Sequence, residues 1–409
     1  MSPILPDLAV RPGTEADLDA ILSLTLAAFH DGPDSAHDAA ERAITEPERS
    51  VLVTDGDLVV GHLGSFRRDL TVPGAIVPAA HVTQVAVAPT HRRRGALTRM
   101  MGRHLTEAPE PIAVLWASEG RIYPRYGYGL AAPRLVVNAT AREVRLPADV
   151  SGRLRAGTPA ELRTELAEVY EAARPDRPGW SSRPGTWWDY VLADTERSRH
   201  GGTPLRAVVH EDAHGRPDGY AVWRVRPGSN PDNERISSVL TVKELVAESP
   251  GARLDLWRFL FGVDLIAKVR HDFLPTDEPL LHWADDPGWL HARWDHALWV
   301  RVVDVPAALA ARRYATPVDV VLEVTDALLP ANQGRWRLRG GPDGASCTPA
   351  AEPAALALDV RELGAVYLGG TALGALAGAG LVRELVPGAL AAAHAAFGWH
   401  RAPGAVEVF

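Results

Sequence analysis

The chain has 409 residues, 46% of them apolar, a formal net charge of −8 and a single cysteine. That length is too great for one ordinary core and implies two to three domains. The acidic balance argues against a general nucleic-acid binder, and the lone Cys347 excludes an internal disulfide framework and most cysteine-based metal sites and suits a reducing cytoplasm.

The opening residues do not read as a signal segment. Thr14 and Asp17 have capping-box spacing, and Leu18, Ile21, Leu22 and Leu26 continue with helical period. "SVLVTDGDLVVGHLGSFRR" then reads as two strands joined through Asp55-Gly56, a hairpin signal. Pro73-Gly74 turns the chain again. "VTQVAVAPTHRRRGALTRMMGRHL", Val82 to Leu105, predicts a valine-rich strand, an arginine-rich turn and a helix from Gly95 or Ala96. Leu97, Met100, Met101 and Leu105 share one face of that helix. A further strand at "PIAVLWASE" completes a mixed α/β domain over residues 1–140.

The same order recurs over residues 141–298. "VRPGTEADL" is echoed by "LRAGTPAEL", and "LRAVVHEDAHGRPDGYAVWRV" repeats the hairpin. "VKELVAESPGARLDLWRFL" stands in for the arginine motif, and "PLLHWADDPGWLHARW" for "IAVLWASEGRIYPRY". Four echoes in one order imply an internal duplication. Residues 299–409 do not repeat. Strand-like runs "WVRVVDV", "VDVVLEV", "RWRLRG" and "ALALDV" open a third, α+β domain. Its apolar stretch from Leu363 to Phe397 is broken by Gly369, Gly370, Gly374 and Pro387, which predicts helices buried in protein and no membrane span.

The arginine turn calls for an anion. A helix N-terminus there presents main-chain N–H groups without partners, and its dipole adds partial positive charge. Arg92, Arg93 and Arg94 add guanidinium donors, and Gly95 lets a ligand approach the backbone. A phosphate or pyrophosphate fits that chemistry. A P-loop would need Lys-Ser/Thr after its last glycine, where Ala96-Leu97 stands, and the dinucleotide pattern G-x-G-x-x-G is absent.

Arg92-x-x-Gly95-x-Leu97 instead resembles the coenzyme A loop of the Gcn5-related N-acetyltransferase superfamily, with leucine in place of the last small residue. The resemblance implies that Val85, Ala86 and Val87 pair with pantetheine amides, and that Arg92, Arg93, Arg94, Gly95, Ala96, Leu97 and Thr98 hold the diphosphate. "YPRYGYG" resembles the superfamily's Tyr-x-x-x-Gly-Phe segment and puts the proton-donating tyrosine at Tyr123, with Ser118 and Glu119 leading to it. Tyr126 and Tyr128 read as packing residues. In the second copy "SPGARLDL" keeps Arg253 but ends in Asp255, and about Leu290 stands where Tyr123 stood. The second copy is therefore expected to be degenerate.

An intact acetyltransferase domain, a degenerate one and an unrelated last domain together resemble the enhanced intracellular survival family of bacterial acetyltransferases. "VAVAPTHRRRG" and "ASEGRIYPRYGYG" carry that resemblance, which covers the whole chain. It implies tandem Gcn5-related folds followed by a sterol-carrier-like α+β domain, and acetyl transfer from acetyl-CoA to amines, including those of aminoglycosides. It also implies a homohexamer, no metal, and the carboxylate of Phe409 as general base. Asp31, Asp34 and Asp38, with Glu407 near the terminus, are candidates to hold a polycationic acceptor, although any one of them can equally be a solvated cap. His30 and His37 have no third ligand close in sequence. Protein lysines and polyamines remain alternative acceptors, and a ligand-binding protein with a vestigial enzyme is the alternative from another class.

Overall fold

The computed structural model describes residues 8–149, 151–228 and 237–409. Strand β1 (Ala9–Pro12) leads through the expected Thr14–Asp17 capping box into helix α1 (Leu18–Phe29), whose Ile21, Leu22 and Leu24 are buried. Helix α2 (Ser35–Ile44) follows. Strands β2 (Val51–Asp55) and β3 (Leu58–Val72) form the hairpin at Gly56, whose φ of 58° suits such a turn. Strand β4 (Ala75–Val87), helix α3 (Ala96–Glu107), β5 (Ile112–Trp116) and β6 (Gly129–Thr140) complete the first segment. Helix α3 starts where its apolar face predicts, and Met100, Met101 and Leu105 are buried.

The second segment repeats the order. It runs β7 (Arg153–Gly157), α4 (Arg163–Ala173), α5 (Gly185–Val191), β8 (Arg206–Glu211) and β9 (Pro217–Arg226). Then come β10 (Val239–Ala247), α6 (Pro250–Phe261), β11 (Lys268–Leu274), α7 (Leu280–Trp283) and β12 (Arg293–Val302). Thr158 and Glu161 rebuild the capping box, each main-chain N–H donating to the other side chain at 2.8 and 3.2 Å. One echo needs correction. "PLLHW" is helical, and the true counterpart of β5 is β11, which lies parallel to β10 as β5 lies parallel to β4.

The twelve strands form one sheet in the order β1-β2-β3-β4-β5-β12-β6-β11-β10-β9-β8-β7. Strand β12 of the second segment lies between β5 and β6, and β6 of the first segment pairs with β11. The two copies thus exchange their last strands. Two expectations are corrected by this arrangement. "WVRVVDV" belongs largely to β12 in the large sheet rather than to the third domain, and a boundary at residue 298 cuts through that strand.

The last segment runs α8 (Val305–Ala311), β13 (Val318–Thr325), β14 (Gly334–Gly340), β15 (Ala345–Pro349), β16 (Leu356–Asp359) and α9 (Val360–Val366). Helix α10 (Leu373–Gly378), β17 (Val382–Glu384) and α11 (Ala389–Phe397) follow. Its five strands are ordered β15-β14-β13-β16-β17. Helix α9 lies on β6 and β12 at backbone distance: a Cβ on Gly129 would fall 2.0 Å from the Arg361 carbonyl, and one on Gly364 2.3 Å from that of Val300. Only glycine permits that approach. The apolar stretch after Leu363 is less buried than expected, with Leu381, Leu385 and Val386 exposed by 41%, 44% and 47%. Among the described residues no helix is long and apolar enough to cross a membrane.

Candidate active site

Strands β4 and β5 pair only from Ala79↔Ile112 to Val82↔Leu115, although β4 runs on to Val87. One edge of its last turn therefore has no strand partner. A bulge lies at the same place: the β3–β4 register shifts between His62 and Gly64, and Gln84 adopts a φ of 49°, rare for a residue with a Cβ. His62 fixes the bulge. Its Nδ1–H donates to the Gln84 carbonyl at 2.9 Å, and Nε2 accepts from the Ser50 hydroxyl at 3.1 Å. Burial lowers its pKa to about 4, so the ring is neutral at pH 7.

The gap opens into a cavity of about 1090 Å³. Val85, Ala86 and Val87 form part of its wall, and so do Gly95, Ala96, Leu97 and Thr98 at the start of α3. Gly95 has a φ of 79° and no capping side chain, so the first N–H groups of α3 have no partner inside the helix. Arg92 and Arg93 are exposed and line the same cavity. Arg94 does not join them: it turns toward Asp55, 3.9 Å away, and lies outside the cavity wall. Unpartnered N–H groups, a helix dipole and two guanidinium groups fit a diphosphate.

Across the cavity, Ser118 and Glu119 follow β5 and lead into a single 3-10 turn, Tyr123–Tyr126. Tyr126 hydrogen-bonds Thr98 at 3.1 Å, ties this turn to α3 and, beyond the packing expected of it, lines the cavity beside Tyr123, while Tyr128 is fully buried against Tyr123. Tyr123 lines the cavity with 8% of its surface exposed. Burial raises its pKa to about 12, with Tyr126 and Glu119 adding to the rise. The phenol is thus protonated at neutral pH and can donate to a leaving thiolate.

Phe409, the last residue, reaches the same cavity, its ring 4.7 Å from that of His81. Of the acidic candidates, Asp31 is at the rim in an ion pair with Arg197 at 2.7 Å, and Asp34 caps α2 by accepting the His37 N–H. Asp38 faces the cavity with a buried Oδ1 that has no hydrogen-bond partner. Glu407 corrects the expectation. It is absent from the cavity wall because its carboxylate is ion-paired to Arg68 and Arg183 at 2.5 and 2.6 Å.

Sequence reading missed Glu41, which lines the cavity and accepts from Gln84 Nε2 at 2.6 Å. Its place one turn after Asp38 on α2 could have revealed it. It also missed Tyr190, Arg197 and His200, which the second segment contributes to the wall, and no motif marks them. His37 packs on Tyr190 with ring centroids 5.7 Å apart. Among the described residues no group of three His, Cys, Asp or Glu side chains is placed to hold a metal ion.

Family models match three successive parts of the chain. Acetyltransferase (GNAT) domain models match residues 9–131 and 179–302, and a sterol carrier protein domain model matches 305–405. An N-acetyltransferase of Streptomyces avermitilis is 45% identical over 369 residues, covering 88% of this chain and 90% of that protein. The N-acetyltransferase Eis of Mycobacterium tuberculosis is 36% identical over 390 residues, covering 90% and 92%. The crystal structure of Eis1 from Mycobacterium abscessus superposes with a TM-score of 0.82 at 32% identity, over 98% of this chain and 100% of that one. A Gcn5-related N-acetyltransferase from Anabaena variabilis shares the fold, with a TM-score of 0.85 at 21% identity, over 98% and 100%. The chain belongs to the Eis-like family of Gcn5-related N-acetyltransferases, with tandem acetyltransferase folds and a sterol-carrier-like last domain, and is an acetyl-CoA-dependent enzyme acting on an amine.

Proposed function

We propose that the acceptor is a polycationic amine of the aminoglycoside type, acetylated at one or more primary amino groups, with Tyr123 as general acid and the Phe409 carboxylate as general base. One observation carries this reading: a single cavity has Arg92 and Arg93, Tyr123, Phe409 and the carboxylates of Asp31, Asp38 and Glu41 in its wall. The arginines and the α3 N-terminus bind the coenzyme's diphosphate; the carboxylates attract ammonium groups. As the neutral amine nitrogen attacks the thioester carbon it becomes cationic and acidic, and its proton passes to the terminal carboxylate directly or through water. A free α-carboxylate is a weak base, with a pKa of about 3.5, so this transfer becomes favourable only as the C–N bond forms. Collapse of the adduct breaks the C–S bond, and the departing thiolate takes the Tyr123 proton. The enzyme works in the cytoplasm as a homo-oligomer, a hexamer by family resemblance, which sedimentation can test.

The test is acetyl-CoA consumption across aminoglycosides, polyamines and lysine peptides. Turnover of aminoglycosides at more than one amino group supports the reading, and turnover of lysine peptides alone replaces it. Adding a few residues after Phe409 is expected to lower kcat by about 10²-fold, the scale of a lost general base. Full activity in that variant removes the terminal carboxylate from the mechanism.

A further inference from the structure

The last segment of the chain carries Phe409 into the first half from the far side of the second. Arg401 pairs with Asp176, the Ala402 N–H donates to Asp277 at 3.0 Å, and the Gly404 N–H donates to the Pro178 carbonyl at 2.9 Å. A Cβ on Gly179 would lie 2.2 Å from the Gly404 oxygen, so the two backbones are in direct contact. Beyond Gly404, among the described residues, Glu407 alone makes ion pairs. Val408 is 52% exposed, while Ala405 is buried and Val406 and Phe409 are partly buried against apolar clusters, so Glu407 adds a charged anchor to an end that apolar packing also holds.

Glu407 sits between two arginines of different origin. Arg68 is on β3 of the first half; Arg183 precedes α5 of the second and also pairs with Glu244 on β10 at 2.6 Å. Arg68 and Arg183 have side chains 1% and 0% exposed, and Glu407 9%. Burial alone would push the Glu407 carboxyl up, but Arg183 and Arg68 outweigh it and hold the pKa below the usual range. Arg183 is shared by Glu407 and Glu244, Lys243 lies close to both carboxylates, and the Tyr220 hydroxyl donates to Glu244. Aromatic faces close the cluster, Trp187 on Arg68 at 3.9 Å and Tyr170 on Arg183 at 4.0 Å. Such an arrangement is poorly replaceable, since removing one charge leaves its partner buried and unpaired.

We infer that Glu407 is a positioning residue: its carboxylate, clamped by one arginine from each half, fixes the chain terminus in the cavity and makes catalysis depend on the docking of all three segments. This rests on the proposed role of the Phe409 carboxylate, and the test separates the two. Glu407→Gln keeps the shape and removes the charge. In the full-length protein it is expected to expose the end to carboxypeptidase, with Phe409 released at least about tenfold faster by mass spectrometry. It is also expected to lower kcat by about 10²-fold, the cost of a displacement near 1 Å, with KM for acetyl-CoA within about twofold. Glu407→Asp is expected to restore part of both. If Glu407→Gln does not yield folded protein, Arg68→Gln, which leaves the Arg183 pairs in place, reads the same two quantities. Unchanged protection of Phe409 overturns the clamp. Loss of protection with unchanged kcat keeps the clamp and overturns the base.

Discussion

Helices α3 and α6 occupy matching places in the two halves of the sheet, yet their first turns have opposite chemistry. Helix α3 begins on Gly95, with no capping side chain and two exposed arginines just before it. Helix α6 begins on Ser249, whose Oγ accepts the Ala252 N–H at 3.1 Å, and Pro250 removes a second donor. Asp255 in its next turn is buried and accepts the Ser151 N–H at 2.7 Å and a contact from His210 at 3.2 Å. The second helix has therefore satisfied its own end and placed a carboxylate close by. At the 3-10 turn the structure corrects the expected match of Leu290 with Tyr123: Pro287 holds the first position, where Tyr123 stands in the first copy, and Leu290 the last, where Tyr126 stands; neither has a hydroxyl. A copy can keep a fold after losing its chemistry, because the apolar pattern that stabilises the sheet does not involve the groups that bind an anion.

The difference can be tested from its largest consequence downward. His62, His81 and His104 in the first half have folded pKa values lowered to about 4, 3 and 4 by burial, against His271 alone at about 4 in the second. Their stabilising contribution is complete above the unfolded value of 6.5. It is lost as pH falls from there toward the folded values, because the unfolded chain takes up protons first. At pH 5 each costs up to about 2 kcal/mol, so hydrogen exchange should show β3 and β4 loosening before β9 and β10. Equal loosening would deny the asymmetry. Tyr123→Phe should lower kcat by about 10²-fold or more with KM for acetyl-CoA nearly unchanged; a raised KM would reassign Tyr123 to binding.

Smaller effects sharpen the contrast between the two arginine turns. Arg253 in α6 pairs with the fully buried Glu278. Arg253→Ala should cost about 3 kcal/mol of stability by leaving that buried carboxylate without its cation, with only the Trp257 indole and Leu280 N–H groups still donating to it, while KM for acetyl-CoA stays as it is; a risen KM would give the second half a coenzyme site. Arg93→Ala should do the reverse. Arg93 is exposed, so its loss should leave the melting temperature alone and raise KM for acetyl-CoA about tenfold, the worth of one charged hydrogen bond. Steady-state kinetics with thermal melts on both variants read the pair.

Local patterns were legible in the sequence because local geometry sets them. The Thr14 capping box, the Gly56 hairpin and the apolar face of α3 depend on residues a few positions apart. The start of α3 behind the arginines was readable for the same reason, since glycine, arginines and the helix start are contiguous, and so was the place of Tyr123 after β5. The errors came where a partner is distant. Strand β12 has the same apolar alternation whether it pairs with β5 or opens a new sheet, so its apparent place after residue 299 was wrong. Glu407 reads as an acid that could face the acceptor until Arg68, 339 residues earlier, is found beside it.

By itself the sequence determined the duplicated order of elements, the glycine and arginine turn at the start of α3 and the absence of that turn from the second copy, all functions of residue type at short range. Only the tertiary structure decided that the copies exchange their last strands, that the second half supplies part of the cavity wall, and that Glu407 lies between two arginines instead of facing the cavity. Those outcomes turn on which surfaces are desolvated together. Burial and the pairing of buried charge are properties of a three-dimensional neighbourhood, which no stretch of chain carries alone.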